Sequence, residues 1–303
     1  MVQRRKLDHL PDRFPLACQW EVTCRCNLHC VMCYTDCFNE PERIRQELST
    51  VELLRIMEEL AEAGCLELCL TGGEPLARPD FFQIYERAIT LGFLVTLFTN
   101  GTLITESIAD RLAALPPHRV EISLHGITET TFEQVTLGRG SFQRCRQAIA
   151  WLTERRIPLT LKSTALTLNR HEILPIKRYV DTIDSVGYKL GEEIRPALDG
   201  SGAPFQFALE PEALDELHRQ DTQLLQEACQ KYVPDTRPCR SGVRRFHIDA
   251  YGVLQLCSGN RAQGYDLRKG SFQKGFYGHL PSFGCRWKRE ATTDLLRPEV
   301  THV

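Results

Sequence analysis

The 303-residue sequence predicts an α/β fold, a partial (β/α)6 barrel followed by a small cysteine-rich C-terminal domain. Three observations point there. Short apolar segments alternate with amphipathic ones from about residue 15 to residue 190. Those apolar segments are oily on one face only. After residue 195 the pattern gives way to glycine, proline and scattered cysteines.

The strand-like segments are residues 16–23, 65–71, 94–99, 120–125, 159–164 and 188–195; the helix-like ones are 51–63, 80–91, 106–115, 142–155 and 173–185. Ser49 and Thr50 before the first helix and Gly64 after it are residue types that punctuate helix ends. Repeated β-α alternation predicts a parallel sheet with helices packed on it. Side chains alternate along a strand. Leu66, Leu68, Leu70, Val120, Ile122 and Leu124 therefore form a face for the helices, while Gln19, Glu21, Thr23, Glu67, Thr71, Glu121, Ser123 and His125 form the other. A sheet wrapped on both sides would be apolar on both faces, and a closed eight-strand barrel would fill its lumen with branched apolar residues. Six strands with a polar inner face predict an incomplete barrel around a wet cavity of ligand size. Residues 196–204 read as a Gly/Pro-rich linker and 212–231 as one long helix. The organisation expected is an N-terminal arm (1–14), the barrel (15–196), a linker and helix (197–234) and an auxiliary domain (235–303).

Composition narrows the function. With 42% hydrophobic and 25% charged residues, the chain has enough apolar material for a core. A net charge of -2 gives no electrostatic case for nucleic acid or a membrane as the main partner. No apolar run reaches membrane-span length and the N-terminus is basic and polar, so a cytoplasmic protein is expected. The thirteen cysteines are unusual. An odd number, a long chain and no export signal argue against a disulfide framework, which leaves metal ligands and small buried hydrophobes.

Directly after the first strand come Cys26, Cys30 and Cys33. Three thiolates at this spacing suit three corners of an iron–sulfur cubane. With no fourth cysteine in the motif, one iron stays open to a chelating amine and carboxylate. Zinc is the rival, because Cys24, His29 and Cys37 lie close enough in sequence to complete a four-ligand site. The second strand ends in Gly72-Gly73-Glu74-Pro75, at the C-terminal edge where α/β folds place ligands. Two glycines let the backbone approach a ligand closely, and Glu74 adds a charged acceptor. Taken alone, that segment is also an ordinary Gly-rich turn before a helix.

Taken together, Cys26-x3-Cys30-x2-Cys33 and residues 72–75 resemble the radical S-adenosylmethionine (SAM) superfamily, over about residues 16–195. The resemblance implies that Cys26, Cys30 and Cys33 hold a 4Fe–4S cluster whose open iron takes SAM, and that Gly72, Gly73 and Glu74 hold the methionine amine. Family members often carry an aromatic residue before the third cysteine. Met32 stands there instead, a polarizable substitute against adenine. Asn100, in the turn Thr99-Asn100-Gly101, and Ser123 match positions that contact the ribose or carboxylate. Arg139 and Lys162 are candidates to pair with the SAM carboxylate; a simple turn and a solvated surface are the ordinary alternatives for Asn100 and Arg139.

Near the C-terminus, residues 246–249 and 253–256 flank Tyr251-Gly252 and read as a hairpin that returns Cys257 toward Cys239, with Cys285 following. This spacing resembles the SPASM/twitch extension of radical SAM enzymes. Three cysteines match the short twitch form and imply one auxiliary 4Fe–4S cluster, with Cys229 or the substrate as fourth ligand. The resemblance further implies an external one-electron donor, a flavodoxin or ferredoxin. It implies reductive cleavage of SAM to a 5′-deoxyadenosyl radical, then hydrogen abstraction from a substrate. A ribosomally made precursor peptide ranks first, modified by crosslinking, epimerisation or backbone excision. A separate peptide-recognition protein is expected to assist, since the barrel begins by residue 15. The alternative is a small-molecule dehydrogenase or decarboxylase. A molybdenum-cofactor cyclase is disfavoured by the terminal Val300-Thr-His-Val303, and a non-catalytic metal-binding module is the outsider.

Overall fold

In the computed structural model, which describes residues 11–35, 39–232 and 241–285, six strands pair in parallel in chain order: β1 (Ala17–Thr23), β2 (Glu67–Gly72), β3 (Leu94–Thr99), β4 (Arg119–Ser123), β5 (Leu159–Thr164) and β6 (Val186–Gly191). Helices fill each crossover: α1 (Pro41–Gln46) and α2 (Thr50–Glu62), then α3 (Phe81–Thr90), α4 (Glu106–Ala114), α5 (Glu129–Thr136) with α6 (Ser141–Glu154), and α7 (Ile173–Asp181). They form where the sequence supplies both a stripe and a cap. In α2, Leu53, Ile56, Met57 and Leu60 are fully buried at helical spacing. Its start is fixed by a reciprocal capping box between Ser49 and Glu52.

The helix-facing residues of the strands are buried as the alternation predicts. Trp20, Leu68, Leu70, Val95, Leu97, Val120, Ile122 and Leu161 lose all their exposure, each burial contributing on the order of 1.5–3 kcal/mol. Leu66 does not join them. It precedes β2 and is 45% exposed, because alternation holds only within the strand.

The sheet does not stop at six strands. β7 (Arg245–Ile248) pairs in parallel with β1, from Ala17 opposite Arg245 to Trp20 opposite Ile248. The expected hairpin follows, with β8 (Val253–Gln255) antiparallel to β7 and β9 (Tyr265–Asp266) antiparallel to β8. The order is β6-β5-β4-β3-β2-β1-β7-β8-β9. The cysteine-rich segment was expected to stand apart; instead it extends the barrel sheet. Phe246, Leu254, Phe272 and Phe276 belong to the same apolar cluster as Trp20 and Leu68. The physical reason is that β1 has a free edge, and the alternation of Phe246 and Ile248 matches that of Cys18 and Trp20.

Other expectations shift in detail. The short helices α1 and α5 were not anticipated. Residues 212–231 form two helices, α8 (Pro211–Arg219) and α9 (Thr222–Tyr232). The break arises because the Asp221 carboxylate accepts from the backbone N–H groups of Gln223 and Leu224, each at 3.0 Å, as an N-cap does. The sixth strand ends at Gly191, and residues 192–195 leave it to line the site. The expected boundary at residue 235 and most of the N-terminal arm lie outside the described residues. Among the described residues no helix is long and apolar enough to cross a membrane.

Candidate functional site: a cysteine-lined barrel cavity

The polar faces of the strands enclose a cavity of about 650 Å³. The loop after β1 contributes Cys26, Cys30, Met32 and Cys33 to its wall; β2 and its turn add Thr71, Gly72 and Gly73; β3 and β4 add Asn100 and Ser123. These elements hold the loop from below and from the side. The His29 and Val31 backbone N–H groups donate to the carbonyls of Thr136 (3.1 Å) and Val135 (2.9 Å) at the end of α5. The Asn27 side-chain amide donates to the Thr102 hydroxyl at 2.7 Å and accepts from the Asn100 amide at 3.0 Å. The Cys33 N–H closes a turn on the Cys30 carbonyl at 2.9 Å.

Burial raises the Cys30 thiol well above its ordinary range, and the neighbouring Cys33 and Cys26 charges push in the same direction. Bound iron would offset the negative charge that Cys33 and Cys26 place beside Cys30. Among the described residues no group of three or more His, Cys, Asp or Glu side chains could hold a single metal ion. The fit to a larger cluster therefore rests on the cavity wall that Cys26, Cys30 and Cys33 share. The proposed zinc partners are not gathered here. Cys24 donates to Glu47 at 3.1 Å, and its thiol is pushed up to about 11 by burial and by Glu47. His29 is exposed, and Cys37 lies outside the described residues.

The turn after β2 owes its shape to Gly72, whose φ is +149°; a Cβ there would meet the Thr23 carbonyl oxygen at 2.2 Å. The next two N–H groups continue the ladder to the cysteine loop, Gly73 to Thr23 O (3.0 Å) and Glu74 to Arg25 O (2.7 Å). Glu74 departs from expectation. Its side chain is fully buried and absent from the cavity wall. It accepts instead from the Thr99 hydroxyl (2.8 Å) and from the N–H groups of Asn100 (2.7 Å) and Leu76 (3.1 Å). The chemistry of a buried carboxylate near backbone donors explains this, since unmet donors are more demanding than a mobile ligand. Arg139 also departs: it is exposed, in the loop before α6, and outside the wall.

Sequence reasoning missed several lining groups. Phe98 and Lys189 share the inner face with Glu121 and Lys162, and strand alternation could have found both. His125, which alternation had placed on the polar face, also lines the cavity; burial and Lys162 pull its pKa down to about 4, so the ring is neutral. Tyr34, next to Cys33, lies between two arginines, with Arg195 at 5.8 Å and Arg261 at 5.6 Å from its ring. Burial and Glu21 push its hydroxyl up to about 12. Nothing in the sequence around Tyr34 signals this.

Tyr34, Glu193 and Arg195 also belong to the wall of a second cavity of about 1120 Å³, which carries Cys257 and Cys285. Those two cysteines are brought together by Asn260, whose side-chain amide donates to the Gly284 carbonyl at 2.9 Å, and by Gln263, which accepts from the Gly284 N–H at 2.8 Å. Cys239 lies outside the described residues. Cys229 is exposed on α9 and does not line this cavity. At the junction of barrel and C-terminal segment, Glu21 accepts from both terminal guanidinium nitrogens of Arg261, Nη1 and Nη2, and lies 3.6 Å from His247. Glu21 was expected on the open polar face; this pairing buries it.

A partial barrel with three cysteines beside a glycine turn at the C-terminal strand edge defines a cluster-binding radical enzyme fold. The family model of the radical SAM superfamily matches residues 20–180, and the chain belongs to that family, whose members use a 4Fe–4S cluster and SAM. The chain is 33% identical over 174 residues to the AdoMet-dependent heme synthase of Methanosarcina barkeri, covering 57% of this chain and 49% of that protein. It is 32% identical over 173 residues to the PqqA peptide cyclase of Bradyrhizobium diazoefficiens, covering 57% and 45%. To the mycofactocin maturase MftC of Mycobacterium ulcerans it is 32% identical over 204 residues, covering 67% and 53%. The chain thus matches about half the length of these curated relatives. Among solved structures, Streptococcus suis SuiB bound to its precursor peptide SuiA superposes with a TM-score of 0.70 at 16% identity, over 90% of this chain and 68% of that one. That likeness is one of fold.

Proposed function

We propose that this chain reductively cleaves SAM and modifies a ribosomally made precursor peptide. The observation that carries the reading is the junction of two cavities. The barrel chamber, with Cys26, Cys30 and Cys33, shares Tyr34, Glu193 and Arg195 with the larger chamber that carries Cys257 and Cys285. An extended chain fits such a pair of chambers better than a compact metabolite does. The likeness to a peptide cyclase and to MftC supports it.

When bound, the cluster and SAM would supply the one-electron chemistry of SAM cleavage. The chain's own residues do the rest. Cys26, Cys30 and Cys33 hold the cluster, and the Gly72 and Gly73 backbones meet the methionine amine. Asn100 and Ser123 face the ribose and carboxylate, and Met32 faces the adenine. Enclosure by the strands keeps water from the reacting atoms and fixes the substrate hydrogen within reach. Cys257 and Cys285, with Cys239, hold an auxiliary cluster. A flavodoxin or ferredoxin delivers the electron, and a separate recognition protein presents the peptide.

The test is anaerobic incubation of reconstituted enzyme with SAM, reductant and a candidate precursor peptide, read by mass spectrometry. The reading expects 5′-deoxyadenosine together with a mass change in the peptide. A second reading, a small-molecule substrate, is favoured by the heme-synthase likeness. It gains if every peptide returns unmodified while a small metabolite stimulates 5′-deoxyadenosine release.

A further inference from the structure

We propose that the floor of the barrel cavity is a carboxylate-binding subsite, built from Lys162 and Lys189 around the single acid Glu121, which takes an acidic group of the substrate. The inference rests on reading this cavity as the substrate chamber, whether the substrate is a peptide or not.

Depth comes first. Phe98 and Glu121 pair across β3 and β4, two residues before Asn100 and Ser123; Lys162 and Lys189 stand in register with Ser123 and reach down to Glu121 through their side chains. Two strand residues span about 6.6 Å, so this cluster lies one step beneath the cysteine loop and glycine turn. It is placed to meet what enters below them.

Charge comes next. Glu121 Oε2 lies 3.3 Å from Lys162 Nζ, and Glu121 Oε1 lies 2.5 Å from Lys189 Nζ. The Lys162 ammonium also lies 3.2 Å from the Phe98 ring centroid. Two cations thus share one carboxylate. The neighbouring groups do not supply a second anion. Burial pushes the Cys69 thiol up to about 12, so it stays protonated, and His125 is neutral. Arg119, two residues below Glu121, donates to the Thr160 hydroxyl at 3.4 Å and adds positive charge. Of the other acids on this side, Glu67 is exposed two residues before Cys69, and Glu193 and Glu192 on the cavity wall pair with Arg195 and His218, each at 3.2 Å.

A structural plug would be matched in charge and sealed. This cluster carries an excess positive charge, and the Lys189 side chain keeps 52% of its exposure. A partly desolvated cation that shares one anion with a second cation gains from an incoming carboxylate, through charge-assisted hydrogen bonds. Burial lowers the Lys162 pKa, a penalty that a bound anion would offset.

The carboxylate could belong to an amino-acid residue or to a free dicarboxylate, and one titration distinguishes them. Reconstituted, SAM-loaded enzyme is titrated calorimetrically, up to millimolar concentrations, with N-acetyl-glutamate N-methylamide, its glutamine counterpart and glutarate. The glutamate ligand or glutarate should bind at least about tenfold tighter than the glutamine ligand. Glutamate above glutarate marks a residue as the source, and the reverse order marks a free acid. In Lys189→Met, verified by a native-like melting curve, the discrimination should collapse. Glu121→Gln, which releases both lysines from their internal acid, should bind carboxylate several-fold more tightly, a gain no purely structural ion pair provides. Absence of discrimination by the unmodified enzyme, or a preference that survives Lys189→Met, overturns the proposal. If Lys189→Met does not fold, unchanged carboxylate affinity in Glu121→Gln overturns it. Failure of the peptide reading looks different: unmodified precursor peptides with carboxylate binding intact.

Discussion

The backbone N–H of Asn100 donates to Glu74 Oε2 at 2.7 Å, so the turn that follows β2 and the turn that follows β3 are tied by one buried carboxylate. Glu74 shapes the site by holding the rim together from behind.

That strut carries a pH signature. Burial raises the Glu74 carboxyl to about 7, against the opposing hydrogen bonds from Asn100, Thr99 and Leu76. A carboxyl with a folded pKa above its unfolded value near 4.5 binds more protons when folded, so its contribution to stability falls as pH rises from about 4.5 to 7. Between pH 5 and pH 8 the unmodified chain should lose on the order of 3 kcal/mol relative to Glu74→Gln. Urea unfolding of both proteins at the two pH values checks this. A loss of equal size in both would remove Glu74 as the cause.

Two glycines offer an internal comparison. At Gly92, with φ +87°, an added Cβ meets nothing within 4 Å, whereas at Gly72 it meets the Thr23 carbonyl. Gly92→Ala should therefore cost only backbone strain, about 1–2 kcal/mol. Gly72→Ala must also shift the β1–β2 ladder and should cost at least about 1–3 kcal/mol more. Denaturant midpoints give both numbers, and equal costs would mean that the turn yields freely.

The pair between Glu21 and Arg261 joins the barrel to the strands beyond β1. Burial alone would raise the Glu21 carboxyl, but His247 and Arg261 outweigh it and draw it down to about 2. A depressed carboxyl contributes stability above about pH 4.5 and loses it as pH falls toward 2. Glu21→Gln leaves the Arg261 guanidinium without its acid, and should cost about 3–5 kcal/mol at pH 7. The gap to the unmodified protein should narrow below pH 4. Melting curves across that range decide it, and a constant gap would place the damage in packing.

Reconstituted protein should hold about eight irons per chain if both cysteine sites take a four-iron cubane. Alanine at Cys26, Cys30 and Cys33 together should remove about half and abolish 5′-deoxyadenosine release. The Cys257→Ala/Cys285→Ala variant, if its melting curve is native-like, should still release 5′-deoxyadenosine but leave substrate unmodified. Zinc without iron in the reconstituted protein would sink the cluster assignment.

Local pattern made the barrel legible. The two-residue alternation of Leu68 with Leu70 and Val120 with Ile122, set against the helical stripe Leu53–Ile56–Met57–Leu60, is written in consecutive residues. The placement of Cys26, Cys30, Cys33, Gly72 and Gly73 on the cavity wall was legible because they follow strand ends at short spacing. What escaped depends on distance in sequence. The Arg261–Glu21 pair spans 240 positions, and no local rule predicts that β7 will dock on β1. Glu74 was misread because its type suits two tasks, meeting a ligand or meeting buried backbone donors, and only the position of β3 decides between them.

The docking of β7 on β1 also bears on how this chain avoids edge-to-edge pairing with its neighbours. Without β7, β8 and β9, β1 would present a row of unpaired N–H and C=O groups, the kind of template on which neighbouring chains stack. With β7 and the hairpin in place, the open flank moves to β9, only two residues long, while the opposite flank is β6, which carries Lys189. A short strand and a lysine-bearing strand are poor templates for intermolecular pairing. Cutting the chain before residue 241 should therefore yield an aggregating protein, whatever becomes of its cysteines.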